Sequence, residues 1–194
     1  MSENLYEILN KTENNCELSD EDLVYLLNCT DQDELEKIFA VARAVRLREF
    51  SNKIFLYGFV YFSTYCRNNC GFCYYRHSNR NPDRYRKSLN EILETATDLK
   101  KSGVNLIDLT MGEDAFFLEN DGENLIRLVR EIHTVCNIPI MVSPGVLSEK
   151  AIHRLAATGA DWYALYQETH NKERFAHLRL GQDYEERMTA KQVA

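Results

Sequence analysis

From Ser51 onward the sequence alternates between short apolar runs and capped amphipathic stretches, and that alternation decides the fold class. Ile54-Phe55-Leu56-Tyr57-Gly58-Phe59-Val60-Tyr61-Phe62 is continuous, aromatic and β-branched, which predicts a strand buried on both faces. A cysteine-bearing loop follows. Ser88-Leu89-Asn90-Glu91 is a capping box, and the helix it opens is predicted to end at Gly103, a C′ glycine. Val104 to Thr110 reads as a second strand, 124–135 as a helix, and Ile138 to Val142 as a third strand stopped by Ser143-Pro144-Gly145. Ser148 caps a short helix ending at Gly159, Asp161 to Tyr166 is a fourth strand, and a helical tail follows. Strands alternating with helices imply an α/β fold with a parallel sheet. A full (β/α)8 barrel needs eight such units and typically about 250 residues. Four units therefore read as the first half of a TIM-type barrel, with a complete open four-stranded doubly wound sheet as the alternative.

The first 50 residues read differently, as a helical lead-in. Ser19-Asp20-Glu21-Asp22 is a cap opening a helix with apolar Leu23, Leu26 and Leu27. Asp31 starts a longer helix whose Leu35, Ile38, Phe39, Ala42, Val45 and Leu47 roughly follow a 3.6 period. The expected organisation is a helical extension over 1–50 and a partial barrel domain over 51–194.

Composition narrows the function. With 23 Lys and Arg against 30 Asp and Glu, the 194-residue chain carries a formal charge of −7, which excludes a general nucleic-acid binder. Its longest apolar run, Ile54 to Phe62, is far short of the roughly 20 residues that span a bilayer, so no membrane partner is expected. The Met-Ser-Glu-Asn start carries no signal-peptide pattern. A cytoplasmic location is expected, where the six cysteines serve as reduced thiols or metal ligands rather than disulfides.

The strongest chemical signal is Cys66-Arg67-Asn68-Asn69-Cys70-Gly71-Phe72-Cys73, a C-x3-C-x2-C cluster directly after the first strand. In a barrel that is the face where chemistry sits. Three thiolates at this spacing can hold an iron–sulfur cluster, with one iron left for an exogenous ligand. Two other readings remain open on spacing. Cys66, Cys70 and Cys73 with His77 would make a Cys3His zinc site, and Cys70 with Cys73 alone would make a thioredoxin-like pair.

The C-x3-C-x-aromatic-C pattern resembles the signature of the radical S-adenosylmethionine superfamily. The flanking Tyr61-Phe62-Ser63-Thr64-Tyr65, Cys73-Tyr74-Tyr75, Asp108-Leu109-Thr110-Met111-Gly112-Glu113-Asp114, Ile140-Met141-Val142-Ser143-Pro144-Gly145 and Ala164-Leu165-Tyr166-Gln167-Glu168-Thr169 are similar to methylornithine synthases. That family starts pyrrolysine biosynthesis and lies in the biotin-synthase-like branch. The resemblance extends to about residue 190, while the family's chains are much longer and carry four further βα units.

The resemblance implies a 4Fe–4S cluster on Cys66, Cys70 and Cys73, with S-adenosylmethionine bound at the open iron. It places Phe72 and Tyr74 near the adenine, and Met111-Gly112-Glu113 on the methionine amino group. Glu168 corresponds to the acidic residue that holds cofactor hydroxyls or the amino group. Arg179 corresponds to the arginine that pairs with the cofactor carboxylate, with Arg187 as a second candidate. Asp114 and Ser143 are assigned to the amino-acid substrate, L-lysine, which rearranges to 3-methylornithine after hydrogen abstraction by the 5′-deoxyadenosyl radical. An electron donor such as flavodoxin or ferredoxin is implied, and so is a partner half that completes the barrel. The alternatives are another biotin-synthase-like radical enzyme, or a non-catalytic remnant or zinc-binding module.

Plainer readings stand beside these. Glu113 reads also as a solvated loop carboxylate, Ser143 as a turn residue before Pro144, Phe72 as core, and Arg187 as a surface partner of Glu185 and Glu186. Cys16, Cys29 and Cys136 read as buried or incidental thiols, and Trp162 as core. The basic stretch from Arg76 to Lys87 reads as a solvated loop.

Overall fold

The computed structural model describes residues 3–194. The chain divides into two compact units, one ending at Ile54 and one covering Phe55–Ala194. The first unit is helical: α1 (Glu3–Glu13), α2 (Asp20–Asn28) and α3 (Gln32–Phe50). Ser19 and Asp22 form the capping box of α2, and Asp31 caps α3 through the Glu34 amide, as their side chains require. Leu5, Ile8 and Leu9 of α1 are buried. No residue of α3 is buried, and Phe39 and Leu47 stand more than half exposed. Its periodicity marks a helix whose apolar stripe is only partly covered, with Leu35, Ile38 and Val45 half-buried.

The second unit is a parallel sheet with helices on one face. Strands β1 (Tyr57–Ser63), β3 (Leu106–Met111), β4 (Ile140–Ser143) and β5 (Trp162–Tyr163) pair in that order, all parallel. Helices α4 (Leu89–Lys101), α5 (Ala115–Cys136) and α6 (Glu149–Thr158) connect them. Ser88 and Glu91 form the capping box of α4, and Gly159 ends α6 in the left-handed conformation. The helix expected from 124 begins earlier, because Asp114 caps a first turn at Phe116 before the chain breaks at Glu119–Gly122 and resumes.

Alternate strand residues point to opposite faces. Val60, Phe62, Ile107, Leu109, Ile140 and Val142 meet Ile92 and Ala96 of α4, Leu125 and Val129 of α5 and Ile152 of α6 in one core. Phe62 is fully buried and meets Phe117 edge-on at 4.8 Å. Each such burial stabilises the sheet–helix layer by about 1.5–3 kcal/mol.

The other face stays open. Tyr57 pairs with Leu106, and Phe59 with Asp108, which in turn pairs with Met141. One step up, Tyr61, Thr110 and Ser143 share a layer. Tyr57 and Phe59 are half exposed, so the first strand is buried on one face, not both. Ile54, Phe55 and Leu56 lie outside it and are exposed, because pairing with β3 begins only at Tyr57. The expected fourth strand is reduced to Trp162 and Tyr163 at the sheet edge, and Trp162 is 63% exposed rather than core. An edge strand lacking a neighbour on its far side leaves such a residue uncovered.

A second, two-residue ladder was not legible in the sequence. β2 (Asn69–Cys70) pairs antiparallel with β6 (Arg179–Leu180), the latter between α7 (Lys172–Leu178) and α8 (Tyr184–Val193). It ties the cysteine loop to the C-terminal segment.

Candidate active site

The cysteine loop leaves the end of β1 and is held by arginines. Arg84 donates from both terminal nitrogens to four backbone carbonyls of Thr64, Tyr75, Arg76 and Asn79 at 2.5–3.1 Å. Its neighbour Arg86 forks onto Asp114 at 2.7 and 2.8 Å and lies over the rings of Tyr65 and Phe116. The stretch is a largely exposed loop, as expected, in which Arg84 and Arg86 also act as fasteners.

Gly112 at the end of β3 lets this loop come close. A Cβ there would lie 2.3 Å from the Tyr65 carbonyl oxygen and 2.9 Å from Cys66 Cβ. Gly145 after β4 serves the neighbouring carboxylate. Its φ is +89°, and a Cβ would fall 2.0 Å from Glu113 Cγ.

The ends of β1, β3 and β4, the cysteine loop and the C-terminal segment surround one cavity of about 270 Å³. Cys66, Cys70, Cys73, Phe72, Gly112, Glu113, Ser143, Glu168, Arg179 and Arg187 all line it. Of the residues expected at the site, Tyr74 and Asp114 do not. Tyr74 is exposed against Tyr75. Asp114 is buried and spent on Arg86, on the Ser63 hydroxyl at 2.5 Å and on the Phe116 amide at 3.1 Å. Tyr61, Thr110, Leu165 and Tyr166 also line the cavity, which the sequence did not single out.

The charged residues are buried and paired. Glu113 is 6% exposed, so it is not a solvated loop carboxylate. It accepts from Arg67 Nε at 3.1 Å and the Val146 amide at 3.3 Å, and lies 3.7 Å from Arg187. Arg179 is buried and donates from Nε to Glu168 at 2.7 Å, closes a second short contact to the same oxygen, and reaches the Tyr166 carbonyl at 2.7 Å. Its guanidinium sits over the Phe72 ring, which is half exposed rather than core. Glu168 has φ +59°, a conformation that turns the chain toward Arg179. Arg187 is buried and bonds the Tyr166 carbonyl and Gln182, while Glu185 pairs with Lys172 instead. Burial lowers the Arg187 pKa, with Arg179 adding to the effect.

Burial pushes the Cys66 thiol up and takes Tyr61 up to about 12. Among the described residues no group of His, Cys, Asp or Glu converges to hold a single metal ion, and His77 is exposed and outside this cavity. That arrangement gives no support to the Cys3His zinc reading. Three soft thiol donors beside one cavity match the donor set of an iron–sulfur cluster with an open position.

One buried acid was missed. Asp108, on the open face one step below Thr110 and Ser143, is fully buried. Its Oδ1 accepts from both hydroxyls at 2.9 and 3.1 Å, and its Oδ2 has no partner. Burial, opposed by those two hydroxyls, raises its pKa. A carboxylate interrupting the apolar Leu106–Met111 strand was the available signal.

Known proteins resemble the chain in sequence and fold. The chain is 44% identical to 3-methylornithine synthase of Methanosarcina acetivorans over 178 residues, covering 92% of this chain and 50% of that protein. It is 28% identical to the [FeFe] hydrogenase maturase subunit HydE of Thermotoga maritima, covering 94% and 51%. The crystal structure of methylornithine synthase (PylB) superposes with a TM-score of 0.85 at 38% identity, over 96% of this chain and 55% of that one. That of the hydrogenase maturase HydG superposes with a TM-score of 0.90 at 27% identity, over all of this chain and 44% of that one. The chain thus spans about half the length of the curated relatives it matches, and its sheet is the corresponding part of a TIM-type barrel. The profile described as "Radical SAM superfamily" matches residues 60–192, from β1 through the cysteine loop to α8. With its three cysteines, its glycine-ended second barrel strand and its buried arginines gathered at one cavity, the chain belongs to the radical SAM superfamily.

Proposed function

We propose that this chain forms the cluster- and S-adenosylmethionine-binding half of an enzyme that rearranges L-lysine to 3-methylornithine. The observation that carries the reading is the convergence of Cys66, Cys70 and Cys73 with Glu113, Glu168 and Arg179 on one cavity at the strand ends. A 4Fe–4S cluster held by Cys66, Cys70 and Cys73, with S-adenosylmethionine beside it, would supply one-electron radical chemistry at this cavity.

The chain's own residues supply binding and orientation. Cys66, Cys70 and Cys73 hold the cluster. Phe72, half exposed at the cavity, offers an apolar face for the adenine. Glu168 and Arg179 offer a carboxylate for hydroxyls or an ammonium and a guanidinium for a carboxylate, and Arg187 adds a second cation behind Glu113. On the substrate side, Ser143 faces the cavity with Thr110, and Asp108, buried beneath them, accepts from both hydroxyls and orients them. Asp114 lies outside the cavity and is engaged on both oxygens, which speaks against it as a substrate contact.

Reductive cleavage is the test. The chain is reconstituted with iron and sulfide without oxygen, reduced, and given S-adenosylmethionine, with EPR recorded before and after. A four-iron signal that changes on cofactor addition supports the reading, and zinc uptake or an unresponsive spectrum overturns it. Adding the half of a methylornithine synthase that this chain does not span, with lysine, then tests the substrate by product analysis.

A further inference from the structure

Gln182 sits in the turn between β6 and α8, where its own amide N–H bonds the Arg179 carbonyl at 3.1 Å. Its side-chain oxygen accepts from Arg179 at 3.1 Å and from Arg187 at 3.2 Å. Both guanidiniums can only donate, so they fix which end of the amide faces them. The other end, Nε2, then points at Cys70 Sγ, 3.0 Å away. A terminal nitrogen of Arg179 stands 3.8 Å from the same sulfur. Cys70 itself is buried, so the amide acts where water does not compete.

We propose that Gln182 is a positioning residue of the cluster: its amide, oriented by Arg179 and Arg187, hydrogen-bonds the Cys70 sulfur and holds the reduction potential up. This rests on the cluster reading given above. A donor to a thiolate ligand draws charge from the sulfur, and the reduced cluster, carrying one more electron, gains more from it than the oxidised one.

The test compares the reconstituted full chain with Gln182→Glu and Gln182→Leu. Iron and sulfide content, resonance Raman spectra and an EPR-monitored redox titration are read together. The Glu variant keeps an acceptor for both arginines but turns the donor into a like charge. The Leu variant removes donor and acceptor. Both are expected to load iron as the parent does and to titrate at a more negative potential, the Glu variant more so, with iron–sulfur stretching bands shifted. Parent potentials and bands in both loaded variants would overturn the inference and leave the cluster reading standing. Loss of iron from both variants, with the parent loaded, would make Gln182 structural and overturn it equally. A parent chain that takes up no iron defeats the cluster reading and this inference together.

Discussion

Arg179 pairs with Cys70 across the antiparallel β2–β6 ladder, so the guanidinium that grips Glu168 is carried on the same backbone pair as a cysteine that lines the cavity. The Gly71 amide extends the ladder by bonding the Leu178 carbonyl at 2.8 Å. Replacing Arg179 by Lys keeps the charge but cannot fork onto Glu168 while reaching the Tyr166 carbonyl. Loss of one charge-assisted bond, about 1.5–3 kcal/mol, is expected to weaken S-adenosylmethionine binding by about 10- to 100-fold. Calorimetry on the reconstituted chain reads this directly, and unchanged affinity would remove Arg179 from the cofactor site.

Gly112→Ala places a methyl group 2.3 Å from the Tyr65 carbonyl oxygen, backbone that cannot swing aside. Overpacking of this kind costs about 1–3 kcal/mol. The cysteine loop is expected to shift away from β3, with lower iron content after reconstitution and a lower melting temperature. Parent-like iron content would show that the close approach is dispensable.

Asp108 bears on stability in a pH-dependent way. Its pKa in the fold is raised by burial above the ordinary value of 3.8. Below that value the carboxyl is neutral in both states and carries no penalty. As pH rises through 3.8 and on through the higher folded value, the fold loses stability by having to hold the charge. Asp108→Asn is therefore expected to raise the melting temperature at neutral pH, by about 2–4 °C for an effect of about 1 kcal/mol. The gain should vanish below pH 3.8 in a thermal series. A variant less stable than the parent at neutral pH would contradict the argument.

Asp114 behaves in the opposite sense. Burial would raise its pKa, but Arg86, Ser63 and the Phe116 amide outweigh it and hold the pKa below 3.8. Its contribution is full above that value and is lost as pH falls through the lower folded value. Asp114→Asn is expected to cost about 2–3 kcal/mol near neutral pH, discounted because Arg86 is 35% exposed. Denaturant unfolding should show the parent's advantage shrinking only in strong acid.

Trp162 is the chain's single tryptophan and stands 63% exposed on the edge strand. Its fluorescence is expected to be red-shifted in the chain alone. It should move to the blue when the segment of a methylornithine synthase that this chain does not span is added. No change on mixing would mean that this edge is not where the remaining strands pair.

What could be read from sequence follows from which signals are local. Capping boxes at Ser19 and Ser88 and the glycine stop at Gly159 depend on a few neighbouring residues, and the structure places all three as expected. The convergence of the cysteines with Glu113, Glu168 and Arg179 was legible only through resemblance, because nothing local brings positions so far apart together. Gln182 carried no signal at all, since its role depends on a two-residue ladder that has no hydrophobic pattern. Ile54 to Leu56 and Trp162 were misjudged for a common reason. Apolar character marks surface to be covered, yet coverage depends on neighbours beyond the sheet's last pair.

Arg84 has a bearing on the life of the protein rather than its chemistry. One guanidinium gathers four carbonyls of the cysteine loop, so protein contacts contribute to setting the loop's course. Domains whose loops are shaped only by metal unfold when the metal leaves. On the cluster reading proposed above, these four bonds would stay in place when the centre is lost, so that the loop could be refilled without a return to the unfolded state.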